Sequence, residues 1–241
     1  MASDSKVAVF VHMFCVDLWP EFRTYLSNFR NVKFDLYVNL VIDTWFPAIH
    51  KEILRNYPSA QVIISENKGR DIGGLINLIQ FVDLTKYESV VIMHTKKSGH
   101  LNIGDEWRNN MIKALIGSPE TIKKNMWLFQ NTKTGVIGHK KYLHSCLDHD
   151  TNKEKLLQLC YLMKVHPDIP NEKYIAGTII WVKSQLLRYI KYHHSKIKMM
   201  LWAKGQGQLD GGWEHAFERL YGPLSTHLEL ELVGVDIVGD E

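Results

Sequence analysis

Short apolar runs alternate along the first hundred residues with longer stretches whose apolar positions recur every three or four residues. Val7 to Val11 is an uninterrupted apolar run, the pattern of a strand buried on both faces, and it ends at His12. From Asp17 to Phe29 the positions Leu18, Phe22, Tyr25, Leu26 and Phe29 take helical spacing, with Asp17 as the expected N-cap and Pro20 in the first turn. Phe34 to Ile42 reads as a second strand, Trp45 to Asn56 as a second helix, and Gln61 to Ser65 as a third strand. A helical stripe follows at Ile72, Leu75, Ile76, Leu78, Ile79 and Val82, and then a fourth strand at Val90 to Met93. This order predicts a parallel sheet with right-handed crossovers and helices on both faces.

Past Ser98 the periods are looser. Helices are expected from Gly104 to Leu115 and from Ser118 to about Asn131, with a short strand at Thr134 to Gly138. A polar helical segment should reach about Asn171, burying Leu156, Leu157, Leu159, Cys160 and Leu162. Tyr174 to Val182 reads as one strand holding Gly177, and a glycine inside a strand often marks a close approach by backbone or ligand. Ser184 to Trp202 reads as one helix, Gly205 to Gln208 as a loop, Gly212 to Tyr221 as a last helix, and Leu228 to Glu241 as an edge strand. No linker, repeat or low-complexity segment interrupts this order, so one domain over residues 1–241 is expected.

Composition narrows the class. The 241 residues, 45% hydrophobic and 23% charged, fit a large α/β globular domain, and a net charge of +3 argues against a nucleic-acid partner. Cys15, Cys146 and Cys160 are too far apart for a disulfide framework or a zinc pattern, which fits a reducing compartment. The start lacks a signal-peptide layout and no run approaches the ~18 apolar residues of a membrane span. A cytoplasmic protein, soluble or peripheral to a membrane, is therefore expected. Between Lys173 and Leu209 there is no acidic residue, while Lys173, Lys183, Arg188, Lys191, Lys196, Lys198 and Lys204 all occur. That stretch reads either as a basic helix or as a face for an anionic membrane surface.

Polar side chains gather at the ends of the expected strands. After the third strand come Asn67, Gly69, Arg70 and Asp71, then Gly73 and Gly74; glycine admits a close ligand, and a helix start favours an anion. The plainer reading is a turn with Asp71 capping the helix. The fourth strand runs straight into His94, Thr95, Lys96, Lys97 and Ser98, and ligands of open α/β sheets sit outside the carboxyl ends of strands. His12 ends the first strand in the same crevice, where it either packs or contacts a base or phosphate. Asp148, His149 and Asp150 imitate a metal motif without a preceding strand and read as a surface loop. Asp210 stands at or before the N-cap of the last helix; Glu214 and Glu218 share one face, with His215 and Arg219 in the adjacent row. A salt-bridged surface helix with Trp213, Phe217 and Leu220 inward would look the same.

NKGRDIGG, the strand ending in HTKKS, Ala176-Gly177-Thr178 before an apolar run, and Asp210-Gly211 followed by His215, Glu218 and Arg219 occur in one order. Together they resemble the signature of the rhamnan synthesis F family of polysaccharide glycosyltransferases, over roughly Val7 to Tyr221. The resemblance implies a GT-A-like α/β fold of three layers, a mostly parallel central sheet flanked by helices. It implies transfer of a sugar, rhamnose among the candidates, from a UDP-linked or other nucleotide-diphosphate donor to a glycan or lipid-linked glycan acceptor. Residues of about 1–100 would then form the nucleotide half and about 101–241 the acceptor half. Nucleotide-sugar contacts would fall to His12, Asn67, Gly69, Arg70, Asp71, His94, Thr95, Lys96 and Lys97, and acceptor contacts to Gly177, Thr178 and Trp213.

Within that reading Asp71 holds ribose or base hydroxyls and Arg70 balances phosphate charge. Asp210 is the first candidate for the base that deprotonates the acceptor, Glu218 the second, with His215 beside them. Glu214 lies off the family pattern. The sequence departs from many enzymes of this fold in having no Asp-x-Asp after the central strand, so the two lysines are expected to neutralise the leaving diphosphate. The alternative is a manganese or magnesium shell built on His94 with Asp71, Asp148 or Asp150. A non-catalytic glycan- or nucleotide-binding domain on the same fold is the rival reading.

Overall fold

The computed structural model describes residues 6–95, 97, 104–148, 150–201 and 211–238. Its first strand, β1 (Val7–Met13), is paired in parallel on one side with β2 (Phe34–Val41) and on the other with β4 (Ser89–His94). β3 (Gln61–Ser65) continues the sheet in parallel beyond β2. On the far side of β4 lie β8 (Ile180–Lys183), β5 (Thr134–His139) and β9 (Glu231–Val235), giving the order β3-β2-β1-β4-β8-β5-β9. β8 runs antiparallel to both its neighbours, while β9 is parallel to β5. β6 (Leu143–Ser145) and β7 (Lys173–Ile175) form a separate antiparallel pair.

The sheet is covered on both faces, which is why its strands read as continuous apolar runs. Val7, Val9, Val11 and Met13 of β1 pack on one side, against α1 (Trp19–Leu26), α2 (Pro47–Asn56), α4 (Gly104–Ile116) and α5 (Pro119–Asn131). Ala8 and Phe10 pack on the other, against α3 (Arg70–Phe81), α6 (Lys153–Leu162), α7 (Ser184–Tyr192) and α9 (Trp213–His227). The result is the expected three-layer α/β architecture around a mostly parallel sheet. On β8 the same alternation sends Ile180 and Val182 to the α3 side and Trp181 to the other. The Trp181 indole is fully buried, donates to Ser89 Oγ at 2.9 Å, and stacks near Phe29 and Phe129. Among the described residues no helix is long and apolar enough to cross a membrane.

Several boundaries differ from the sequence reading, each for a physical reason. The expected helix from Asp17 to Phe29 is α-helical only over α1, between 3-10 turns at Val16–Leu18 and Ser27–Phe29. Leu18, not Asp17, is the N-cap of α1, and Asp17 instead pairs with Lys97 at 2.5 Å. The strand expected across Tyr174 to Val182 is divided into β7 and β8, because Gly177 (φ 101°) and Thr178 (φ 52°) take left-handed conformations no strand contains. The helix expected from Ser184 breaks at His193 into α7 and α8 (His194–Leu201); Trp202 and the loop at 205–208 lie outside the described residues. The long polar helix shortens to α6, which buries Leu156, Leu159 and Cys160 and leaves Leu157 exposed.

α9 runs past Tyr221 to His227 despite Pro223 in its interior. Proline there deprives the Arg219 carbonyl of its intrahelical donor, and the Cys146 thiol stands 3.8 Å from that oxygen instead. On the opposite face Arg108 of α4 is buried and grips α1: its Nε and Nη2 donate to the two carboxylate oxygens of Glu21 at 2.9 and 2.8 Å, and its Nη1 to Asp105 at 2.7 Å. This two-pronged geometry is the strong form of a guanidinium–carboxylate pair.

Candidate active site

The chain passes from β1 to β2 and β3 on one side, then returns to place β4 on the other side of β1. That reversal opens a crevice at the carboxyl ends of β1 and β4, the usual ligand position in such sheets. Asn39, His12 and His94 stand in one row across β2, β1 and β4. Alternation with Tyr37, Phe10 and Ile92 aims all three at the α3 side of the sheet.

α3 meets that row with its glycines. A Cβ on Gly74 would lie 1.9 Å from His12 Nδ1, so the imidazole occupies the space a side chain would take. His12 Nδ1 is 3.1 Å from the Asn39 amide nitrogen. Burial pulls the His12 pKa down to about 4; the Asp71 carboxylate opposes this and the His94 ring reinforces it. His12 is thus a neutral imidazole at physiological pH.

His94 is buried as well, and its Nε2 lies 2.6 Å from the Gly177 carbonyl oxygen. A carbonyl only accepts, so Nε2 carries the proton. The Asp71 carboxylate lies 3.6 Å from the same nitrogen. The Gly177 N–H donates to Glu218 Oε1 in a short contact, and the Thr178 hydroxyl lies 3.5 Å from that oxygen. Residue 177 is therefore held from both ends, by β4 through its carbonyl and by α9 through its N–H.

Above this row is a small recess lined by Arg70, Asp71, Ile72, Gly177, Thr178, Glu214, His215 and Glu218. Beneath it a narrow, mostly apolar gap shares Asp71 and Thr178 and is floored by His12, His94, Phe10, Leu75, Leu78, Ile92 and Met93. Arg70 (φ 51°) and Thr178 (φ 52°), both left-handed without being glycine, line the same recess from opposite walls. Such conformations cost on the order of 1–3 kcal/mol each and tend to gather where a site must be shaped. Gly69 (φ 71°) is the N-cap of α3, so the first turn of that helix, with its positive dipole end, borders the recess.

The structure brings together His12, Arg70, Asp71, His94, Gly177, Thr178, His215 and Glu218, drawn from five segments of chain. Asp71 lies inside the first turn of α3 and is not its cap; it faces His94. Asn67 and Gly69 shape the loop before α3. Thr95 turns its hydroxyl to the chain itself, accepting from the N–H groups of Phe14 and Cys15 at 3.0 and 2.9 Å. Lys97 is exposed and paired with Asp17; that pairing lowers the Asp17 carboxyl and raises the Lys97 ammonium. Trp213 packs on the α3-side core, with Lys155 Nζ 6.0 Å from its ring, and does not line the recess. His215 Nδ1 accepts from the Gly212 N–H at 3.1 Å, closing the start of α9. Lys96 and Asp210 lie outside the described residues.

Sequence reasoning gave no role to Asn39 and Tyr221, little weight to Glu214, and a different neighbour to Gly74. Glu214 lines the recess although it lies off the expected pattern. Asn39 sits inside an apolar run, and only strand alternation marks it. At Gly74, expected to admit a close ligand, the space is taken by the His12 ring instead. Tyr221 is fully buried, with its hydroxyl raised by burial and by the Asp71 carboxylate.

For the metal shell expected around His94, Nε2 is taken up as a donor to the Gly177 carbonyl, which leaves Nδ1 as the ring nitrogen with a lone pair. Asp148 receives the Ser145 N–H at 3.0 Å within its own turn. Asp71, Glu214 and Glu218 share the recess, yet no group of three or more His, Cys, Asp or Glu side chains among the described residues is placed to hold a metal ion.

The family model of rhamnan synthesis protein F matches residues 1–229. The chain is 28% identical over 183 residues to the uncharacterized protein WxcX of Xanthomonas campestris pv. campestris, in two strains, covering 74% of this chain and 26% of WxcX. It therefore spans about a quarter of the length of these relatives. Among solved structures, the galactosyltransferase LgtC in complex with donor and acceptor sugar analogs overlaps with a TM-score of 0.48 at 9% identity, covering 89% of this chain and 70% of that one. Residues 1–349 of S. aureus TarS overlap with a TM-score of 0.46 at 12% identity, covering 90% of this chain and 55% of that one. Overlaps of this size carry no argument about chemistry.

Proposed function

The chain belongs to the rhamnan synthesis protein F family, and from that premise we propose that it is a glycosyltransferase whose donor is a nucleotide-diphosphate sugar. UDP is the first nucleotide to test and rhamnose the first sugar; the acceptor is a growing glycan, free or lipid-linked. The observation that carries the reading is the recess at the β1/β4 reversal, where the start of α3 faces the clamped Gly177–Thr178 turn and the carboxylates of α9. One catalytic unit over 1–241, with a donor half of about 1–100 and an acceptor half beyond it, is part of the same proposal, as is a cytoplasmic location.

In this scheme the diphosphate lies against the first turn of α3 and Arg70, which supply positive potential without a proton transfer. Asp71 accepts hydrogen bonds from the nucleoside hydroxyls. The acceptor hydroxyl attacks the anomeric carbon, the bond to phosphate breaks, and the diphosphate leaves with the electron pair. The proton passes to a carboxylate, Asp210 first and Glu218 second. Glu218 Oε1 is already engaged by the Gly177 N–H, so its clearest duty is to position the turn that orients His94. A manganese or magnesium requirement is read by running the UDP titration below with and without the ion.

Calorimetric titration of UDP tests the donor site. Asp71→Ala should weaken binding at least tenfold, about 1.4 kcal/mol; unchanged affinity would remove Asp71 from the site. Asp210→Asn should leave UDP binding intact and lower transfer by roughly 10²–10⁴-fold, the usual worth of a general base. Turnover within a few fold of wild type would pass that role to Glu218. UDP binding with no transfer to any offered glycan would favour a binding domain on the same fold.

A further inference from the structure

Away from the recess, α6 and α8 enclose an open groove of about 660 Å³, lined by Leu157, Tyr161, Leu162 and Met200, with Glu154 and Gln158 along one side. The neighbouring apolar side chains face solvent: Tyr161 and Tyr192 are each 83% exposed and Met199 76%. Lysines rim the same place. Lys164 follows α6 and Lys196 lies on α8, both exposed, and both stand close enough to His193 to add to the lowering of its imidazole by burial. The Tyr192 ring meets His193 edge-on at 4.9 Å, which ties α7 to the same cluster. No acidic residue occurs between Lys173 and Leu209, and the carboxylate at the groove is that of Glu154 on α6.

Two features decide what such a face fits. The cores of protein–protein interfaces are depleted of lysine, whereas here the cations sit among the apolar side chains. Peripheral membrane surfaces combine these elements: aromatic and flexible apolar groups enter the headgroup boundary while lysine stems lie along it and carry their ammonium groups to phosphate. We propose that this face docks on an anionic lipid bilayer, with Tyr161, Tyr192 and Met199 entering the headgroup boundary and Lys164 and Lys196 meeting lipid phosphates. The inference concerns α6, α7 and α8 and stands apart from the nucleotide reading.

The full chain, without nucleotide, is co-sedimented with phosphatidylcholine vesicles and with vesicles of phosphatidylcholine and phosphatidylglycerol. Binding should appear with the anionic vesicles alone and weaken as salt shortens the screening length from about 8 Å to about 3 Å. Lys164→Gln and Lys196→Gln should each weaken it about fivefold. Tyr161→Ser combined with Met199→Ser should lower affinity while leaving the salt dependence in place. All four side chains are exposed, so the melting temperature of each variant reports any loss of fold separately. Absent binding, equal binding to neutral vesicles, or undiminished binding by the lysine variants would overturn the proposal.

Discussion

Gly74→Ala is the substitution on which the crevice geometry is most exposed to refutation. In an ordinary helix interior, alanine stabilises over glycine by about 0.8–1.0 kcal/mol. Here the added methyl would lie 1.9 Å from His12 Nδ1 and 2.7 Å from two ring carbons. His12 cannot simply swing aside, because it is buried between β2 and β4 and contacts Asn39. Forcing one extra methyl into such a place costs typically about 1–3 kcal/mol. The gain and the cost separate in a double-mutant cycle. Gly74→Ala alone should lower stability by about 1–3 kcal/mol in urea denaturation. In a His12→Ala background the obstruction is gone, and the same change should raise stability by up to about 1 kcal/mol. The coupling between the two positions is then about 1–4 kcal/mol, the sum of those two effects. An equal effect of Gly74→Ala in both backgrounds would refute the claim that His12 fills the space above Gly74.

Two more outcomes follow from groups already described. The folded-state pKa of His12, about 4, lies below its ordinary value of 6.5, so the unfolded chain binds the extra proton between those values. Stability should be fully present above pH 6.5 and fall as the pH drops toward 4, by up to about 3 kcal/mol at 1.36 kcal/mol per pH unit. Urea midpoints across that range should flatten in His12→Gln; an unchanged slope would clear His12 of the effect. Arg108→Ala should cost about 1.5–3 kcal/mol, the usual worth of hydrogen bonds to charged groups, since the Glu21 and Asp105 carboxylates left behind reach solvent. Arg108→Lys should recover only part of it, because an ammonium cannot reach both oxygens of Glu21 as a fork; full recovery would show that charge alone matters there.

The first half of the fold was legible because its strands are buried on both faces and therefore read as unbroken apolar runs between helical stripes. His12 and His94 were found for the same reason, each standing where such a run stops. What escaped depends on residues far along the chain. Ala176-Gly177-Thr178 lies between β-branched neighbours and has every local reason to stay extended. The turn forms because Glu218, 41 residues away, takes the Gly177 N–H. Asp17 looked like a cap by local rules, but a lysine 80 residues away claims its carboxylate. Asn39 was hidden because one polar residue in an apolar run changes the pattern little. Its place is evident only once β1 supplies His12 beside it. Glu214 lines the recess beside Glu218, as their shared helix face implies; that this face of α9 borders the recess is set by packing that no spacing rule encodes.

Trp181 sets a length scale for the whole crevice. β8 has only four residues to fix its register, and a slip of one would turn every side chain to the opposite face. The indole forbids this slip, because its N–H needs Ser89 and its rings need Phe29 and Phe129 on one particular side. Gly177 stands four residues before Trp181, no more than about 13 Å of chain. The core tryptophan thus works as a benchmark from which the edge of the recess is measured. A smaller side chain at 181 would loosen the ruler, and the carbonyl that orients His94 would arrive at a range of positions instead of one.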